Sequence, residues 1–216
     1  MNQKLWSTGY YCENLRALDI NRFWVRPPDS DTQSVAGFPS TQAPTFDIVG
    51  YCRQFNLFLD GIFMNSMSTL DTLAHEISIL YTFPHMPNKL YIRDIRNKLL
   101  QSHPNSKLSR FLDRQLSLAW YSEFEPYRHC TTHESLIRYT DIRFSYDQVE
   151  NKYKLTEGIK LPDNPQARRF TYDKRREAIL YCQSIFRRIQ TLVIKAYKNI
   201  LIDIRRNNNT LPIPIT

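Results

Sequence analysis

Between Phe46 and Phe83, apolar or small side chains return every third or fourth residue: Phe55, Leu59, Ile62, Ser66, Leu70, Leu73, Ile77 and Leu80. A strand repeats every second residue, so this spacing predicts a helix over 46–83, about 55 Å long at 1.5 Å per residue. Pro84 and Pro87 mark its end, because proline has no N–H to continue the ladder. A chain that carries such a helix is expected to form a helical bundle.

The remaining elements follow from the same kind of pattern. Two shorter helices are expected over 88–102 and 106–122, separated at His103-Pro104-Asn105, and Glu125-Pro126 opens another with proline in the first turn. Over 140–160 the period changes. Ile142, Phe144 and Tyr146 alternate with polar neighbours, Glu150-Asn151 supplies a turn, and Tyr153 and Leu155 alternate again. That predicts a β-hairpin, closed by Gly158 and the Pro-Asp-Asn-Pro run at 162–165. A last helix over 171–206 carries a seam of Ile185, Ile189, Leu192, Ala196, Ile200 and Ile204. The expected fold is all-α: an antiparallel bundle of four to five helices with a small hairpin inserted before the last long one. Residues 1–45 read as a partly irregular N-terminal extension with a short helix at Cys12–Ile20. Residues 46–206 form the helical domain and 207–216 a tail.

Composition removes several functions. Five Gly against 12 Pro, with no GxGxxG or GxxxxGK[ST] run, leaves no glycine-rich phosphate cradle. Cys12, Cys52, Cys130 and Cys182 stand far apart without a CxxC pair, which argues against a zinc ribbon or disulfide scaffold. No apolar run is long enough to span a bilayer, and the first residues lack a signal-peptide core, so a reducing cytoplasm is the expected compartment. The net charge of +8 is local. Eleven of the 29 Lys/Arg but only three of the 21 Asp/Glu lie between Arg168 and Arg206, which places the whole excess there. Such a segment has the electrostatic character of a polyanion-binding surface, although a solvated helix face has the same composition.

The densest chemistry lies in Tyr127-Arg128-His129-Cys130-Thr131-Thr132-His133-Glu134. This segment resembles the HEPN superfamily, helical-bundle proteins marked by Arg, a polar residue, and His four to six residues beyond the Arg. Arg128, His129 and His133 match in order and spacing. The long helix with Ser68-Thr69-Leu70-Asp71-Thr72-Leu73-Ala74-His75-Glu76, and a hairpin before a long final helix, are similar to one bacterial branch. The resemblance covers roughly residues 46–206. It implies a metal-independent endoribonuclease of the toxin or defence kind, a homodimer with the site between subunits, no cofactor, and a nucleotidyltransferase-like antitoxin as partner.

The chemistry suits the residues. When a ribose 2′-OH attacks the adjacent phosphodiester, a group that titrates near neutrality must move a proton, and imidazole does so without special tuning. A guanidinium can hold two phosphoryl oxygens as charge builds on them. His133 is therefore the expected general acid or base and Arg128 the phosphate clamp, with His129, Thr132 and Glu125 in support. Five residues apart on an ideal helix, Arg128 and His133 point about 140° from one another, flanking a groove. Arg175, Arg176, Arg187 and Arg188 on the last helix are candidate RNA contacts through phosphates.

Competing readings use the same residues. Arg128 could simply pair with Glu125 or Asp71, and the chain could be a non-catalytic helical module that binds a protein, a nucleotide or RNA. His129 and His133 have the four-residue spacing of a helical zinc pair, but Cys130 stands where HExxH needs Glu and no third ligand is evident, so no metal is expected. A second Arg-polar…His match, Arg96-Asn97 with His103, lies at a helix end beside Pro104.

Overall fold

The structure, a computed structural model, describes residues 2–19, 24–25, 45–83, 90–130, 139–140, 142–147, 149–150, 152–167 and 169–206. Among these residues there are six helices: α1 (Asn2–Arg16), α2 (Ile48–Leu80), α3 (Ile92–Ser102), α4 (Lys107–Leu116), α5 (Ala119–His129) and α6 (Ala178–Arg206). Three antiparallel strand pairs accompany them: β1 (Trp24–Val25) with β2 (Thr45–Phe46), β3 (Phe144–Asp147) with β4 (Lys152–Leu155), and β5 (Lys160–Leu161) with β6 (Arg176–Glu177). The fold is mainly α with a small β insertion before the last long helix, as the sequence pattern predicts.

The 33-residue α2 is the axis of the bundle. Asp47 starts it by accepting a hydrogen bond from the Gly50 N–H at 2.8 Å, which satisfies one of the donors a helix leaves open at its N-terminus. Its predicted stripe is the buried face: Phe55, Leu59, Ile62, Ser66, Leu70, Leu73 and Ile77 are all inaccessible. The seam of α6 behaves likewise from Ile185 to Ile200, with Ile204 half-buried in the last turn. At the centre, Phe63 stacks on Phe124 and Tyr127, with ring centroids 5.9 and 5.1 Å away, and meets Tyr181 at 6.4 Å.

The N-terminal segment departs from expectation. Instead of a short helix at Cys12–Ile20, α1 spans Asn2–Arg16 and packs along both α2 and α6. It runs antiparallel to each. Lys4 reaches Ser68 and Thr72 while Tyr11 lies on Gly61, and Gly9 faces Phe186 while the Cys12 thiol points to the Cys182 carbonyl. Its apolar residues, Leu5, Trp6, Tyr10, Tyr11, Cys12 and Leu15, are spread around the helix, so no stripe shows in the sequence, and tertiary packing supplies what its intrinsic propensity lacks. Gly61 makes the close approach possible: a Cβ there would stand 2.8 Å from the Tyr11 ring.

Other boundaries shift for local reasons. The predicted helix over 106–122 is broken at Ser117-Leu118 into α4 and α5. Pro126 therefore sits inside α5 rather than in a first turn. The burial of Trp120, Tyr121, Phe124 and Tyr127 on one side carries that helix through the proline. Residues 171–177 are not helical either. Arg175 has a positive φ of 46°, and Arg176–Glu177 pair with Lys160–Leu161, so α6 begins at Ala178. The hairpin forms where the alternation predicts it, with Phe144 opposite Leu155 and Ser145 opposite Lys154.

Two polar anchors fix the ends of the bundle. Asp203 of α6 is buried and accepts from the Lys107 N–H at 2.7 Å, the Leu108 N–H at 3.0 Å and the Tyr81 hydroxyl at 3.0 Å. One carboxylate thus ties the end of α2, the start of α4 and the end of α6. Towards the other end, Arg176 is buried and pairs with Glu123 at 3.0 Å and Asp163 at 3.6 Å. It also donates to the Tyr127 hydroxyl at 3.3 Å and lies 5.4 Å from the Tyr181 ring centroid. This cluster holds the β5–β6 segment against α5.

Candidate functional site

The last turn of α5 brings Arg128 to the rim of the bundle, one residue after the fully buried Tyr127. Its guanidinium faces two elements. One nitrogen lies 3.8 Å from the Asp71 carboxylate on α2, and its carbon sits 4.5 Å from the centroid of the Tyr91 ring at the start of α3. At 3.8 Å the pair is beyond hydrogen-bonding distance, so Asp71 balances the charge of Arg128 without accepting a hydrogen bond from that nitrogen. The Tyr91 ring adds a cation–π contact. Of the two alternative partners that the sequence offered for Arg128, the structure selects Asp71. Glu125 instead pairs with Arg93 at 2.9 Å.

Asp71 belongs to a polar strip on one face of α2. Ser68, Asp71, Thr72 and His75 share one face of α2 at helical spacing, and Lys4 of α1 donates to Ser68 and to Thr72. Burial raises the Asp71 carboxyl above its ordinary value, and the charges of Arg128, His75 and Lys4 only partly offset this, with Asp94 adding to the rise. The Asp71 Oδ1 atom is buried and accepts no hydrogen bond. Four elements thus act on this carboxylate: α1 through Lys4, α2 through His75, α3 through Asp94, and α5 through Arg128. In the sequence the strip shows as polar residues at i, i+3, i+4 and i+7. The contributions of Lys4 and Tyr91 had no sequence signal.

The other predicted residues are distributed unevenly. His129 is exposed on the last turn of α5. His133 and Thr132 lie outside the described residues. The four arginines proposed as RNA contacts do not form one surface. Arg175 is exposed on the turn before β6, Arg187 and Arg188 are exposed on α6, and Arg176 is buried in the ion-pair cluster described above. Arg176 is thereby corrected from a candidate phosphate contact to a structural anchor: its charge is spent on Glu123 and Asp163. On Glu123, burial acts to raise the carboxyl, but the Lys174 hydrogen bond and the Arg176 and Lys174 charges outweigh it and hold the group below its ordinary value.

The second Arg/His pair is committed elsewhere. Arg96 donates twice to its neighbour Asn97, at 3.2 and 3.0 Å. His103 ends α3 with its ring edge-on to Tyr81 and Phe83, at 5.3 and 6.0 Å between centroids. Each side chain is engaged by its own surroundings. Of the metal alternative, among the described residues no three His, Cys, Asp or Glu side chains gather as ligands. No helix among them is long and apolar enough to cross a membrane.

Compared with known proteins, the chain matches no family model, no curated protein and no solved structure.

Proposed function

We propose that the chain is a metal-independent endoribonuclease of the HEPN type that works as a homodimer, with Arg128 clamping the scissile phosphodiester and His133 moving the proton. The observation that carries this reading is the setting of Arg128. The guanidinium stands at the rim of the bundle, steadied by an aromatic face and by a carboxylate that gives it a charge partner without accepting a hydrogen bond from it. Burial already disfavours the anionic form of Asp71. A phosphodiester can therefore displace it from Arg128 more easily than it could a fully solvated, strongly ionised partner. His133 follows α5 by four residues in the chain, and its imidazole can serve as base for the 2′-OH or as acid for the leaving 5′-oxygen. In a dimer, one histidine from each subunit fills the two roles.

The test is cleavage of end-labelled RNA by purified protein in excess EDTA, with His133→Ala and Arg128→Ala alongside. Wild-type cleavage with loss of at least a hundredfold in each variant, and unchanged circular dichroism, is the expected result. Equal activity in all three would remove the site from this motif.

A second reading, a non-catalytic helical interaction module, draws on a different observation. Between α1 and α6 runs an apolar groove of about 830 Å³ in which Trp6 and Tyr10 are 79% and 57% exposed. Aromatic side chains displayed this openly are typical of protein contact surfaces. Absence of cleavage by wild type under all conditions would favour this reading.

A further inference from the structure

Away from Arg128, helices α4 and α6 enclose a second groove, of about 330 Å³. Its walls carry four cations: Lys107, Arg110 and Arg114 from α4 and Lys195 from α6. The three on α4 follow i, i+3 and i+7 spacing, and so share the face opposite Leu108, Leu112 and Leu116, which are buried. None of the four takes part in an ion pair among the described residues, whereas Arg93, Lys154, Lys160, Lys174 and Arg176 all do. Among the described residues, no acid lines the groove. Concentrating four like charges between two packed helices is unfavourable in isolation, and a polyanion relieves it.

We propose that the α4–α6 groove binds single-stranded RNA along its phosphate backbone. Neighbouring cations on one helix face stand about 5–6 Å apart at Cβ, which lets successive side chains address successive phosphates. Phe111 lies half-buried between the cations and offers a ring for a base to stack on, with the Gln115 and Asn199 amides beside it for base edges. A base stacks on such a ring when it is not stacked within a duplex, which favours a single strand. The choice of RNA over another polyanion rests on the nuclease reading above; the charge arrangement does not.

The experiment measures binding of a fluorescein-labelled 2′-O-methyl oligoribonucleotide of about 12 nucleotides by fluorescence anisotropy, with the full chain. This probe cannot be cut by 2′-OH attack, so binding is read separately from cleavage. Four phosphate contacts predict a slope near −3 in log K against log salt, roughly a fifty-fold loss of affinity between 50 and 200 mM. Arg114→Ala and Lys195→Ala, both at exposed positions, should each weaken binding about five-fold at 0.1 M salt. Lys152→Ala should keep wild-type affinity, because Lys152 is exposed on the β-hairpin and does not line the groove.

Several results would overturn the proposal: no binding by wild type, affinity indifferent to salt, a Lys152→Ala loss equal to the others, or displacement of the probe by poly-glutamate as readily as by unlabelled RNA. Groove-dependent binding without RNA cleavage would sink the nuclease reading and leave the groove standing. Motif-dependent cleavage with groove variants that bind as well as wild type would do the reverse.

Discussion

Replacing Asp203 with alanine would remove one carboxylate and leave three donors without their acceptor. Two of them, the Lys107 and Leu108 N–H groups, belong to the first turn of α4. Losing such a cap costs about 1 kcal/mol, and Ser106, which accepts from the Ser109 N–H at 2.9 Å, limits the damage by staying in place. The third is the Tyr81 hydroxyl, on a side chain only 4% exposed. A buried donor without a partner costs about 1–3 kcal/mol. Together with the loss of a negative charge at a helix N-terminus, the change should destabilise the protein by roughly 3–4 kcal/mol. In a chain of this size that lowers Tm by roughly 6–15 °C.

Urea denaturation followed by circular dichroism measures the change directly. Adding Tyr81→Phe to Asp203→Ala should return part of the loss, because it deletes the orphaned hydroxyl. Asp203→Asn should fall between, since an amide oxygen still accepts from one N–H. A loss below about 1 kcal/mol for Asp203→Ala, or a double variant no better than the single one, would refute the assignment of Asp203 as the common anchor of α2, α4 and α6.

Two further stability predictions test other parts of the bundle. Asp60, half-buried on α2 with Oδ1 accepting no hydrogen bond, is pushed up by burial from 3.8 to about 6. Folding therefore favours its protonated form, and the penalty is absent below about pH 4 and complete above about pH 6. Asp60→Asn should stabilise by roughly 1–2 kcal/mol at about pH 7, a figure discounted because the side chain is partly solvated, and by nothing at about pH 3.5. A pH-independent difference in paired denaturation curves would refute this. Arg176→Ala should cost about 3 kcal/mol in thermal melts, because it leaves the buried Asp163 without its charge partner and Glu123 with Lys174 alone, while Arg187→Ala changes stability by less than about 0.5 kcal/mol. Equal effects would contradict the burial of Arg176.

What the sequence made legible depended on whether one helix face differs from the other. The stripes of α2 and α6 and the alternation of β3 and β4 are local periodicities, and each emerges at nearly its predicted position. Helix α1 has no such contrast: Thr8 is buried while Trp6 and Tyr10 are exposed, so hydrophobicity misreports which side faces the core. The basic run from Lys174 to Arg176 looks like the start of a charged helix until β6 pairs with β5 and turns one of the three inward. Strand pairing between segments this far apart in the chain is invisible to a window that looks for helical repeats. The Arg128 site was half legible for the same reason. Its motif residues lie within one short segment, but Lys4 of α1 and Tyr91 at the start of α3 reach it through docking that no local pattern encodes.

The same limit governs charge. Counted along the chain, the excess lies entirely between Arg168 and Arg206, and the rest of the chain is neutral in sum. Counted in space, three of the four cations in the α4–α6 groove come from α4, in the neutral part. The two counts disagree because a helix sorts its residues by angle. Lys107, Arg110 and Arg114 return to one face every turn, while acids that cancel them in the sum are spent elsewhere, as Glu123 is on Lys174 and Arg176. A phosphate meets a face and not a composition, and Coulomb interaction at exposed sites decays within about 10 Å at 0.1 M salt. What decides polyanion binding is therefore the charge within one Debye length of the groove. By that measure the binding proposed for this groove would depend on α4 and not only on the basic C-terminal helix.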